Sequence, residues 1–158
     1  MSIVKGDLKE LIELLNSALA DEWLAYYQYW VGSKIVRGPM RPNVEEELKE
    51  HAEEEYKHAN MLADRILQLG GTPILNPSIW VSKSNCGYEE PKDTHVLKLL
   101  EQNIKGEQCA IEFYNMLLQK LKEFNDPITM NMVRKILEDE VEHEYDLETL
   151  KEDIELLK

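Results

Sequence analysis

The chain has 158 residues, 43% of them hydrophobic, with seven glycines, six prolines and a formal net charge of -13. That is apolar material for the core of one domain over 1–158, while the acidic surplus excludes nucleic acid and anionic lipid as partners, since phosphate binding needs clustered Lys and Arg. Met1-Ser2-Ile3-Val4-Lys5-Gly6-Asp7 has no apolar signal core and later apolar runs fall short of a membrane span, so a cytoplasmic protein with no membrane contact is expected.

Apolar seams that step by three and four predict four long helices. The first is capped by Asp7, runs through Leu8, Leu11, Leu15, Ala18, Glu22, Ala25, Tyr29 and Gly32, and ends at Gly38-Pro39-Met40-Arg41-Pro42. The second, capped by Asn43, follows Val44, Leu48, His51, Glu55, His58, Leu62, Ile66 and Leu69 and stops at Gly70-Gly71-Thr72-Pro73. In the long stretch that follows, Asn76-Pro77-Ser78-Ile79-Trp80-Val81 can cap and start a short extra helix. The third begins at Asp93 or Thr94 after Pro91 and runs Val96, Leu100, Asn103, Glu107, Ala110, Tyr114, Leu117 and Leu121. Asn125-Asp126-Pro127 gives the fourth a cap and a first-turn proline, and its seam is Val133, Ile136, Glu140, His143, Leu147, Leu150, Ile154 and Leu157. Short loops join helices one to two and three to four, whereas Gly70 to Lys92 can cross the bundle. The expected fold is therefore all-α, a four-helix bundle with a long crossover between the second and third helices.

One spacing occurs twice. Glu22 is followed 33 residues later by Glu55-x-x-His58, and Glu107 is followed 33 residues later by Glu140-x-x-His143. Glu-x-x-His places a carboxylate and an imidazole on one helix face, and two such motifs with two lone glutamates make up the di-iron or di-manganese site of ferritin-like bundles. All six residues fall in the seams. Counted from the expected caps, the four glutamates lie roughly 20 Å along their helices at ~1.5 Å per residue, so antiparallel packing brings them to one layer. A solvent-facing role suits a lone Glu-x-x-His; it does not suit two seam-facing copies. Four carboxylates in an apolar layer repel one another and lose hydration, a cost of several kcal/mol each that divalent cations remove. Oxygen-rich ligands with one imidazole per metal suit iron or manganese, with zinc as a substitute. Glu55 and Glu140 are expected to bridge two ions and Glu22 and Glu107 to be terminal. His51, one turn before Glu55, is read either as a neighbour of the ligands, a point where iron enters, or a hydrogen-bonded core histidine.

Asp21-Glu22-Trp23-Leu24-Ala25-Tyr26-Tyr27-Gln28-Tyr29, Glu55-Tyr56-Lys57-His58-Ala59 and Glu138-Asp139-Glu140-Val141-Glu142-His143 resemble helix motifs of bacterioferritin. With Gly38-Pro39-Met40-Arg41, Asn85-Cys86-Gly87-Tyr88 and Gly106-Glu107-Gln108-Cys109-Ala110 added, the chain is more similar to the DPS-like mini-ferritins, or thioferritins. The resemblance covers nearly the whole chain. It implies a ferritin-like bundle with Glu22, Glu55, His58, Glu107, Glu140 and His143 as ligands of two iron ions per subunit. Tyr29 matches the tyrosine two turns past the first glutamate and Tyr114 repeats that relation; both are read as core aromatics or as donors beside the ligands. Tyr56 stands where bacterioferritin has its haem-binding methionine, so no haem is expected. The seam through Leu157 uses the last 15 residues, so no fifth bundle helix is expected and a dodecameric shell is favoured.

The function expected from this resemblance is a ferroxidase and iron-storage shell that oxidises Fe(II) with hydrogen peroxide or dioxygen and protects against oxidative stress. A rubrerythrin-like peroxidase or a di-iron oxygenase is the alternative. Cys86 and Cys109 are too few for a secreted disulfide scaffold. Cys109 lies about 200° around the helix from Glu107 and is expected to face away from the metal layer. Geometry leaves open a pair or two unrelated thiols; the thioferritin resemblance implies the redox pair.

Overall fold

The computed structural model describes residues 3–157. Helix α1 (Leu8–Ile35) is capped by Asp7, whose carboxylate accepts from the Lys9 and Glu10 amides at 3.0 and 3.3 Å. Helix α2 (Arg41–Gln68) follows a tight turn. In the crossover, Asn76 caps a 3-10 turn, Pro77–Ile79, that runs into the short helix α3 (Trp80–Lys83). Helix α4 (Val96–Leu121) passes through a second 3-10 turn, Lys122–Phe124, to α5 (Pro127–Glu155), which Asp126 caps through the Ile128 and Thr129 amides. No helix of the described residues is long and apolar enough to cross a membrane.

Two apolar clusters give the helix directions. One gathers Leu11, Leu15, Leu62, Ile66, Leu117, Leu121, Val133 and Ile136; the other gathers Val36, Val44, Leu48, Val96, Leu100, Leu147 and Ile154. Helices α1 and α5 pass from the first cluster to the second, and α2 and α4 run the opposite way. Each of these side chains contributes about 1.5–3 kcal/mol through burial, and the six seam Glu and His residues lie between the two clusters. This is the ferritin-like bundle, with a crossover and a short extra helix, that the seams predict.

Three boundaries differ from expectation. Asn43 does not cap α2: it lies in the first turn, and Met40 precedes Arg41 in the left-handed region at φ 57° with no side-chain cap. The turn is held from outside, because Arg37 pairs with the start of α4: its amide donates to Thr94 and its carbonyl accepts from Val96, both at 2.8 Å. Gly38 sits at φ 124° in that turn, where a Cβ would come within 3.2 Å of Val96 Cγ2. Helix α4 starts at Val96, with His95 as cap through its Nδ1, while Asp93 accepts from the His95 amide instead. Leu157 lies past the end of α5 and is exposed.

The crossover is drawn onto α1. Asn16 donates to the Thr72 carbonyl and accepts from the Ile74 amide, each at 3.0 Å, and Ser17 donates to the Lys83 carbonyl at 2.9 Å. Buried Asp21 accepts from the Asn85 and Cys86 amides at 2.9 Å and from Asn85 Nδ2 at 2.7 Å. Trp80 stacks on Trp23, with centroids 5.6 Å apart and planes 4° from parallel. The far end is tied by buried Arg65, whose Nη2 donates to Asp126 at 2.8 and 2.9 Å and whose Nε donates to Thr129 at 2.8 Å.

Candidate metal centre

From their observed caps, Met40 and His95 for the second and third long helices, the seam glutamates still fall in the middle of all four. Glu22, Glu55, His58, Glu107, Glu140 and His143 are all buried and meet in one layer. They form two groups, Glu22, Glu55, His58, Glu140 and Glu55, Glu107, Glu140, His143, whose ligand atoms lie within 4.8 Å of one another. Glu55 and Glu140 belong to both. His58 Nδ1 stands 3.3, 3.5 and 3.6 Å from Glu140, Glu22 and Glu55, and His143 Nδ1 stands 2.9, 3.4 and 3.6 Å from Glu55, Glu107 and Glu140.

What aims the imidazoles is an acid on the opposite hairpin. His58 Nε2 bonds Asp139 at 2.8 Å, and His143 Nε2 bonds Glu54 at 2.6 Å. With Nε2 as donor to these acids, a neutral imidazole would present the Nδ1 lone pair to the layer, the carboxylate–histidine arrangement that fixes metal-binding imidazoles. The tyrosines cross in the same way: the Tyr29 hydroxyl donates to Glu107 and the Tyr114 hydroxyl to Glu22. Both buried hydroxyls are thereby satisfied by carboxylates of the layer. Burial, and then the Glu107 and Glu22 carboxylates respectively, push the phenols up, which keeps them protonated donors. Sequence reading overlooked Glu54 and Asp139, yet each immediately precedes the glutamate of its Glu-x-x-His motif, so the doubled signal carries an acid more.

The inward atoms test whether the layer fits cations. Glu22 Oε2, both Glu55 oxygens, Glu107 Oε2, Glu140 Oε1 and the Nδ1 atoms of His58 and His143 are buried without a hydrogen-bond partner among the described residues. The close nitrogen–oxygen approaches above therefore have the distance of ion pairs but not the alignment of hydrogen bonds. Seven orphaned donor atoms converging from four helices fit a pair of divalent ions and no apolar core. Electrostatics in the bare layer agree. Burial and the Glu55 charge push Glu22 up, and burial with Glu107, Glu55 and Glu22 pushes Glu140 up. Burial also works against an ionised Glu55, but the close approach of Glu22, His143 and His58 outweighs it and holds that carboxyl well below its usual range. Burial disfavours charge on both imidazoles, yet the surrounding carboxylates prevail and drive His58 and His143 far up. A cation bound among these groups would take the place of such protons.

A cavity of about 460 Å³ reaches the layer between α1 and α4. Ala25 and Ala110 line it beside Glu22, Glu107 and Glu140. Cys86 and Cys109 are joined in a disulfide, Cα atoms 5.9 Å apart, which settles the pairing left open by geometry. Cys109, expected to face away from the layer, belongs to neither group of ligand atoms and lies with Cys86 on the cavity wall, where the Asp21 clamp holds the crossover over the groove between α1 and α4. His51 is not a hydrogen-bonded core histidine: it stacks on His143 at 4.1 Å and faces Glu47 and Asp146.

Similarity to known proteins follows the same residues. The curated bacterioferritin of Rhodobacter capsulatus is 32% identical over 146 residues, 92% of this chain and 84% of that one. The DNA protection during starvation protein of Pyrococcus furiosus is 30% identical over 87% of this chain and 75% of its own length. Among solved structures, the bacterioferritin-related protein of Bacteroides fragilis, described as a dodecameric thioferritin, superposes with a TM-score of 0.92 at 44% identity, covering 96% of this chain and 89% of that one. The ferritin-like domain profile matches residues 12–157, and the chain belongs to the ferritin-like family.

Proposed function

We propose that the protein is a single-domain ferroxidase subunit of a dodecameric iron-storage shell in the cytoplasm. Fe(II) is its substrate, two ions per subunit, held by Glu22, Glu55, His58, Glu107, Glu140 and His143, with Mn or Zn able to take their place. Haem and nucleic acid have no part in this reading. The observation that carries it is the set of orphaned oxygen and nitrogen atoms converging in the layer. Iron supplies the electrons; the protein supplies position and charge. Glu55 and Glu140 belong to both groups of ligand atoms and would bridge. Glu22 and Glu107, each oriented by a tyrosine hydroxyl, would be terminal. Asp139 and Glu54 hold the imidazoles in the tautomer that presents Nδ1. The cavity lets hydrogen peroxide or dioxygen approach from the side of Ala25 and Ala110. Consuming peroxide with Fe(II) would remove both reagents of oxidative damage, and the thioferritin likeness favours that oxidant and a redox role for Cys86 and Cys109.

Stopped-flow mixing of Fe(II)-loaded protein with peroxide or dioxygen tests the site. Glu55→Ala and Glu140→Ala should abolish the fast phase, and a wild-type rate in either removes the assignment. Light scattering should give about a dozen chains. The cavity also suits a second reading, a peroxidase or oxygenase of the rubrerythrin-like type acting on a small molecule, since its volume is that of a ligand pocket. A stable monomer or dimer that retains no more than two irons per chain would select it.

A further inference from the structure

We propose that Glu47, His51 and Asp146 form a third divalent-cation site, beside the dinuclear layer and filled independently of it. Glu47 and His51 stand one turn apart on α2, Asp146 reaches across from α5, and their ligand atoms lie within 4.8 Å of one another. An acidic cluster alone would mean little. The decisive residue is His51, only 2% exposed, with its ring against Tyr29 at 5.1 Å and on His143 at 4.1 Å. Neither of its nitrogens makes a hydrogen bond among the described residues. Nε2 is 2.9 Å from Glu47 Oε1 and 3.7 Å from Asp146 Oδ2, so it points between two carboxylates without the alignment that would satisfy it.

Packing does not ask for a histidine there. The two hairpins repeat at an offset of 85 residues, as Glu22 and Glu107 or His58 and His143 do, and at that offset His51 corresponds to Ile136. The counterparts of Glu47 and Asp146 are Met132 and Met61, and all three pack in an apolar cluster. A buried imidazole without hydrogen-bond partners is costly where an isoleucine would not be. A cation between the three side chains recovers that cost, and one imidazole with two carboxylates suits Fe(II), Mn(II), Co(II) or Zn(II). Glu47 and Asp146 are 27% and 37% exposed, so the site opens to solvent and water can complete the coordination.

Co(II) serves as probe, added to the metal-stripped, assembled protein, with bound metal counted by equilibrium dialysis and followed by visible absorption. The expected result is three ions per chain in the wild type and two in both His51→Ile and Asp146→Asn. His51→Ile keeps the volume of the counterpart residue, and Asp146→Asn touches only a partly exposed position, so a fold defect in one leaves the other to decide. In a Glu55→Ala, Glu140→Ala double variant the third ion should remain. Only two ions in the wild type, or an unchanged count in His51→Ile and Asp146→Asn, overturns the proposal. Should the wild type bind one ion, lost in Asp146→Asn, the third site stands and the dinuclear reading falls.

Discussion

The α1–α2 and α4–α5 hairpins agree wherever they touch the layer and differ nearly everywhere else. Glu22 and Glu107, Glu55 and Glu140, His58 and His143, Tyr29 and Tyr114, and Glu54 and Asp139 are equivalent pairs with equivalent contacts. Beyond them the supports diverge. Asp21, which clamps the crossover, corresponds to Gly106; His51 corresponds to Ile136; the Asp126 carboxylate that receives Arg65 corresponds to exposed Arg41. What is repeated is what the chemistry of the layer requires. The scaffold around it needs only to hold those atoms in place, and each hairpin does so differently.

The largest departure from equivalence should appear at Asp126. Asp126→Ala leaves the buried Arg65 guanidinium without its carboxylate and α5 without its cap, a loss of about 3–5 kcal/mol. Arg41→Ala at the equivalent position should cost under about 0.5 kcal/mol. Denaturant unfolding of the metal-free protein compares them, and similar losses would show that Asp126 is no special tie. Burial pushes the Asp126 carboxyl up, but donors from Thr129 and Arg65 outweigh it and hold it below its ordinary 3.8. The unfolded chain therefore takes up that proton first. The contribution is complete above about pH 4 and disappears as pH falls through the lowered native value, and Asp126→Asn should lack this part of the acid slope.

Equivalence is tested directly by Glu54→Ala and Asp139→Ala. Each releases one imidazole and should weaken metal binding by about 10–100-fold, measured by chelator competition. Asp139 also accepts from Lys135 at 2.7 Å, a contact Glu54 lacks, so a loss confined to one variant would show that the two halves are not interchangeable. Tyr29→Phe and Tyr114→Phe should give smaller and matching losses, about 1 kcal/mol of metal affinity each. Last is His51→Ile, an effect of similar size but opposite sign, expected to raise the stability of the metal-free protein by about 1 kcal/mol, since it replaces an orphaned imidazole by an apolar side chain. A lowered melting temperature would mean that the Glu47 and Asp146 charges stabilise His51 more than burial costs it.

Helix number, helix direction and the meeting of six polar residues were legible because they rest on period and repetition. Four apolar seams, each interrupted by Glu at the same depth, mark a buried polar layer, because a solvated glutamate would fall off the seam. Local boundaries were less legible where a distant segment decides them: Met40 and Gly38 take their conformations because Arg37 pairs with the start of α4. The same holds for Cys109, whose surroundings depend on where Asp21 pins a loop more than sixty residues away. Glu54 and Asp139 are another case, since their motif was visible and only its cross-bundle destination was not. The Asp146 partner of His51 lies on another helix, and no spacing within α2 announces it.

The crossed contacts limit what half of this molecule could do. A freestanding α1–α2 hairpin would own Glu22, Glu55 and His58, but Glu140 closes that group, Asp139 aims its imidazole and Tyr114 steadies its first glutamate. The α4–α5 hairpin is equally dependent, on Glu55, Glu54 and Tyr29. Neither would be a weaker version of the whole; each would be a set of acids with nothing to order them. The smallest competent unit is two hairpins face to face.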